Sequence, residues 1–80
     1  MRGPAVTTPG GTLEVEVAPN EDEVTIHPVA GQGSATKHPV EPGRTATIPV
    51  PRVPPGTVLI VEVGKGSRSR FYPVLVVENA

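Results

Sequence analysis

Two histidines, His27 and His38, stand in identical tripeptides, His-Pro-Val at 27–29 and again at 38–40. Imidazoles in pairs suggest metal chemistry, and a zinc site needs three or four ligands in a tight shell. The chain has no cysteine, so at least one carboxylate, Glu23 or Glu41, has to join the pair. The two rings can face one another only if the strands around 27 and 38 form a hairpin. The proline after each histidine supports a plainer reading, in which each His is an outward strand residue. Proline cannot donate a ladder hydrogen bond and is confined in sheets to edges, first positions and bulges. Pro28, Pro39 and Pro49 therefore mark strands that run along edges or stop early, a placement that blocks unwanted strand addition. The expectation is edge protection, with no metal and no other cofactor.

Lys65, Arg68 and Arg70 crowd the segment GKGSRSRF. The Gly-Lys-Gly-Ser string lacks the spacing of a phosphate loop, and no helix follows it to supply amide donors. Only Phe71 and Tyr72 are at hand for stacking, too few for a single-strand nucleic-acid platform. The simpler expectation is cross-strand pairing. Arg68 and Arg70 alternate outward, as do Glu14 and Glu16 on an early strand, and opposite charges across such a pair contribute roughly 0.2–1 kcal/mol. The acidic run Asn20-Glu21-Asp22-Glu23 lacks the residue order of a calcium loop and reads as a solvated turn. With no cysteine, no G-x-S-x-G and no convincing Ser, His and acid arrangement, the chain does not read as an enzyme.

These residues must be positioned by a small body. Eighty residues, with one Phe, one Tyr and no Trp, make one domain with a thin, valine-dominated core. Domains of this size usually add disulfides, a metal or a partner, and disulfides are excluded here. The net charge of −1 offers no general attraction to nucleic acid or to an acidic membrane. Charge is nevertheless uneven, with two bases and five acids in residues 1–40 against five bases and three acids in 41–80. The N-terminal segment has no apolar core of a secretory signal, and no run approaches membrane-spanning length. A chain starting at Met1 is expected to be a complete product made in the cytoplasm.

Eleven prolines and nine glycines leave no window for a helix with a 3.6-residue period. Period-two alternation is plain instead. Residues 12–18 put Leu13, Val15 and Val17 on one face and Glu14 and Glu16 on the other. Residues 23–29 put Val24 and Ile26 inward, Thr25 and His27 outward. A weak strand is expected over 35–40. After the turn Glu41-Pro42-Gly43-Arg44, residues 45–50 align Ala46, Ile48 and Val50. The run TVLIVEV, 57–63, is apolar on both faces and reads as a central strand covered on both sides. Residues 68–72 and 74–78, separated by Pro73, complete seven short strands. Such spacing predicts an all-β sandwich over 12–80, preceded by an extended arm over 1–11, with a small Greek-key barrel as the alternative.

The passage GRTATIPVPRVPPGTVLIVEV, residues 43–63, resembles a strand–Pro-Pro-Gly-Thr–strand unit. That unit recurs in bacterial and phage immunoglobulin-like sandwich domains and in carboxypeptidase-regulatory-like modules; Val58 stands where those families often carry an aromatic. The resemblance implies an immunoglobulin-like sandwich more than a task. The leading expectation is a non-enzymatic structural or accessory protein of a larger assembly, most concretely a decoration or stabilising protein of a bacteriophage virion. It would be assembled in the host cytoplasm and docked on a capsid or tail lattice, with self-association as a further contact. Arg2, Pro4, Val6, Lys65, Arg68, Arg70 and Phe71 are the expected partner-facing residues. The alternative is an adhesin-like or carbohydrate-binding module of a bacterial surface protein, using Phe71 and Tyr72 as a platform.

Overall fold

The computed structural model describes residues 5–29 and 34–78. Valine-rich alternation produces strands throughout, because β-branched side chains suit a pleated, half-buried surface. Among the described residues seven strands form: β1 (Ala5–Thr7), β2 (Thr12–Glu16), β3 (Glu23–Pro28), β4 (Thr36–Pro39), β5 (Thr45–Pro49), β6 (Val58–Val63) and β7 (Arg70–Val76). One 3-10 turn, Gly66–Arg68, lies between β6 and β7. A five-stranded sheet has the order β1-β7-β6-β3-β4, and β2 pairs with β5 in a separate two-stranded sheet. All neighbours are antiparallel except β1 and β7, which run parallel. The two sheets stay separate rather than closing into a barrel. The arrangement sets β1-β7-β6-β3-β4 opposite β2-β5 as a small two-sheet β-sandwich.

The strand count matches the sequence reading, but two members differ. Ala5–Thr7, inside the segment read as an arm, takes a place in the larger sheet beside Val74–Val76. Residues 70–76 form one continuous strand through Pro73, where the sequence suggested two. Register explains how Pro73 is tolerated. Val76 donates to the Thr57 carbonyl, so in the β6–β7 ladder the residues at 70, 72, 74 and 76 exchange hydrogen bonds and position 73 turns its nitrogen away.

The core is a single cluster between the sheets. Leu13, Val15, Val17, Ile48, Val50 and Val53 come from the smaller sheet and its flanks. Val24, Ile26, Leu59, Val61, Val63, Val74 and Val76 come from the larger one. Those inside strands belong to the inward set of their strand, Val17 and Val50 directly follow β2 and β5, and Val53 lies in the connection to β6. Val40, Ala46 and Tyr72 pack at the margin. At roughly 25 cal/mol per Å² of apolar surface removed from water, this burial is what closes the sandwich.

The other in-strand prolines obey the same rule as Pro73. In β3–β4 the Val40 amide bonds to the Asp22 carbonyl, which places Pro39 at an outward-facing ladder position of an edge strand. In β2–β5 the Val17–Arg44 and Val50–Gly11 amide bonds, 3.3 and 2.9 Å, likewise turn Pro49 outward on an edge. Pro28 departs from the expectation, because β3 is an interior strand. Its nitrogen points to the β4 side, where pairing has already stopped at Ile26 and Thr36.

Candidate functional site

Alternation sends Val58, Ile60 and Glu62 of β6 to the outer face of the five-stranded sheet, opposite the buried Leu59, Val61 and Val63. Cross-strand register then assembles a surface. Val6 is opposite Leu75, Leu75 is opposite Val58, and the Val29 amide donates to the Val58 carbonyl at 3.0 Å. One row of apolar side chains, Val6–Leu75–Val58–Val29, thus crosses four strands, with exposures of 54, 40, 37 and 43%. Pro73, Ile60 and His27 form the next row. Phe71, 61% exposed, heads a third row with Glu62, Thr25 and Lys37. Val6, Val29, Val58, Phe71 and Leu75 are the exposed large hydrophobics among the described residues, and all lie on this face. Contiguous apolar surface bordered by polar groups marks interaction sites on soluble proteins. The expectation that β6 is covered on both sides therefore fails: its outer face is open.

Glu62 organises the polar border. Its Oε1 lies 2.8 Å from His27 Nε2, and Ser69 Oγ donates to Oε2 at 2.7 Å. The Ser69 hydroxyl bond, then the His27 bond, holds the Glu62 carboxyl below the ordinary carboxylate value, against the opposing pull of burial. Ser, His and acid are adjacent here, yet in the wrong order for acyl transfer. The carboxylate lies between the other two, so the hydroxyl meets Glu62 and not the imidazole that would have to accept its proton. The cluster instead fixes a charge beside the apolar rows.

The two histidines do not meet. The β3–β4 hairpin exists, but its register places His38 opposite Val24 and His27 opposite Ile60 on β6. His27 therefore occupies the outer face, whereas His38 takes the core-side face at the sheet edge, with Nε2 3.1 Å from Thr36 Oγ1. The reading of both as outward residues holds for His27 alone. No group of three or more metal-ligating side chains occurs among the described residues.

The residues expected to face a partner separate in space. Arg2 and Pro4 lie outside the described residues. Val6 and Phe71 share the outer face, while Tyr72, the next residue, turns inward and packs against the core. Phe71 and Tyr72 thus cannot form a common aromatic platform. Lys65 and Arg68 are exposed at the β6–β7 turn, with Lys65 Nζ 3.9 Å from Asp22 Oδ1. Arg70 is opposite the buried Val63 and reaches across to the other layer. Its guanidinium donates twice to Glu21, Nε to Oε2 at 2.9 Å and Nη2 to Oε1 at 2.8 Å, and Nη2 also reaches the Glu16 carbonyl at 3.0 Å.

Arg70 therefore does not face Glu14 or Glu16 across a ladder, because β2 is joined to β5 instead, although the Glu16 charge still favours its protonated form. Nor is the acidic run simply a solvated turn, because Glu21 is only 5% exposed. The Ala18 amide also donates to its Oε1 at 2.8 Å. Arg70 first and the Ala18 amide second push the Glu21 carboxyl down, while burial opposes them. Gly64, at φ 94°, lies against this pair, and a Cβ there would stand 3.6 Å from the Glu21 side chain.

Sequence reasoning missed Val29, Val58, Ile60 and Leu75 as surface-forming residues. The available signal was the apolar character of both faces of TVLIVEV, which fits an open docking strand as well as a doubly covered one. Comparison with protein-family models, curated proteins and solved structures gives no match.

Proposed function

We propose that the chain is a non-enzymatic structural or accessory protein that attaches to a larger assembly through the outer face of its five-stranded sheet. The most concrete setting is a bacteriophage virion, with the protein added to a capsid or tail lattice after synthesis in the host cytoplasm. The observation that carries this reading is the four-strand apolar row Val6–Leu75–Val58–Val29, extended by Ile60, Pro73 and Phe71. Covering the rows removes apolar surface from water, and Phe71 supplies the aromatic anchor typical of interface centres. The ionised Glu62 with His27 and Lys37 gives the contact a polar border and hence a register. On a repeating lattice, many modest contacts reinforce one another by avidity.

The test is co-sedimentation with intact particles from cells that make the protein. Val58→Lys combined with Leu75→Lys keeps the β-rich far-ultraviolet spectrum, since neither side chain is in the core, and lowers the particle-bound fraction at least tenfold. Undiminished attachment of this variant overturns the reading. The carbohydrate-binding surface module is the second reading and draws on Phe71 alone, because Tyr72 faces the core. Glycan binding lost in Phe71→Ala, with no particle attachment by the native chain, would favour it.

A further inference from the structure

The two sides of the sandwich are closed differently. On the β1–β7 side the smaller sheet is tied down: Thr7 Oγ1 donates to the Thr12 carbonyl at 3.1 Å, and Arg70 reaches the Glu16 carbonyl. On the opposite side, between β4 and β5, a groove of about 500 Å³ remains open. Its walls include His38, Pro39 and Val40 on one side and Thr45, Thr47 and Pro49 on the other.

Hydrogen-bond alternation determines what the groove presents. In the β2–β5 ladder, Arg44, Ala46, Ile48 and Val50 direct their backbone groups to β2. Thr45, Thr47 and Pro49 direct theirs into the groove. Thr45 and Thr47 each offer one N–H and one C=O, whereas Pro49 offers only a C=O. Their side chains are uncharged and exposed. The opposite wall cannot pair equally well, since Pro39 occupies an outward position there too.

We infer that the β5 edge is a self-association surface, on which β5 of a second copy of this chain pairs antiparallel about a two-fold axis through Ala46. Self-complementarity selects that occupant. With Ala46 opposite its own copy, Thr45 of each chain faces Thr47 of the other in a hydrogen-bonded pair, so all four N–H groups and all four carbonyls are matched. The ladder has natural ends. The next pair would join Gly43 to Pro49, but the Gly43 amide is already bonded to the Ala18 carbonyl at 3.1 Å and Pro49 has no N–H. Centring the axis on Thr47 brings in two Pro49 nitrogens, and centring it on Thr45 requires the committed Gly43 amide. Only the Ala46 register pairs every N–H and C=O of Thr45 and Thr47 without calling on Gly43 or Pro49. Charge agrees: Thr–Thr pairs are compatible across a ladder, and Arg44 is already neutralised by Glu41 at 3.1 Å. The equivalent pairing of β2 with itself would bring Glu14 and Glu16 against like charges. Dimerisation through β5 joins two small sheets into a four-stranded one and sets the two half-open grooves against each other.

Sedimentation equilibrium on the purified chain tests this, with amide hydrogen exchange as a second readout. A reversible dimer is expected, with Thr45 and Thr47 amides gaining protection as concentration rises and the Glu14 amide unchanged. Thr47→Pro removes an outward N–H from each copy without touching the β2 ladder, as Pro49 already does, and weakens dimerisation at least tenfold. Thr47→Val keeps the backbone donor and dimerises within threefold of the native chain. The Val58→Lys, Leu75→Lys variant dimerises normally, which separates this inference from attachment through the outer face. A chain that stays monomeric to its solubility limit, or a dimer whose formation leaves the Thr45 and Thr47 amides unprotected, overturns it, whether or not Thr47→Pro folds.

Discussion

Glu21 and Arg70 tie the acidic turn before β3 to the start of β7, across 49 residues of sequence. Replacing Arg70 by Met leaves the buried Glu21 carboxylate with the Ala18 amide as its remaining donor among the described residues. The expected cost is about 2 kcal/mol, measurable by urea unfolding. Glu21→Gln keeps the shape and loses the charge, at a smaller cost. Acid sensitivity follows from the same contacts. The Glu21 and Glu62 carboxyls are both held below the ordinary value of 4.5, so in the folded state they release protons more readily than in the unfolded chain. Their contribution is complete above that value and is lost as pH falls through the depressed folded values. Glu21→Gln with Glu62→Gln therefore flattens the acid limb of a stability-against-pH curve while leaving its slope near neutrality unchanged. None of this was legible in the run Asn20-Glu21-Asp22-Glu23. Local sequence does not say which of three acids turns inward, because the deciding guanidinium is distant in the chain.

Strands were the most legible elements, since alternation between valine and polar residues encodes both the element and its buried face. Leu13, Val15, Val24, Ile26, Ile48, Leu59, Val61 and Val63 fall where that alternation places them. β1 escaped because three residues flanked by Pro and Gly carry too short a pattern; its strand character comes from a partner at the other end of the chain. β7 was divided because proline is a breaker only where its nitrogen is needed, and ladder phase cannot be read without knowing the neighbours. Phase also gives the edge prolines their effect. Pro39→Thr or Pro49→Thr restores an outward N–H on an open edge. Each is expected to alter unfolding free energy by no more than about 0.5 kcal/mol yet to raise concentration-dependent light scattering. Unchanged scattering in both would show that these prolines do not guard the edges.

At the scale of the whole molecule, one buried layer separates two sheets while the outer face of the larger sheet remains apolar. Two leucines on adjacent strands measure the difference. Leu59 is fully buried and Leu75 is 40% exposed. Leu59→Ala should cost roughly 2–5 kcal/mol by leaving a cavity, a large share of the stability of so small a domain. Leu75→Ala should cost about 0.5 kcal/mol or less. Denaturant midpoints that move equally for the two would contradict the assignment of an inside and an outside. The parallel contact between β1 and β7 has a mechanical consequence. Traction on the two ends of the polypeptide draws these strands past each other lengthwise, so bonds such as Val77 N–H to the Thr7 carbonyl, 2.7 Å, must yield in concert rather than peel one by one. A tether fastened at both termini should resist extension more strongly than one fastened across the β3–β4 hairpin, a contrast that single-molecule stretching can record directly.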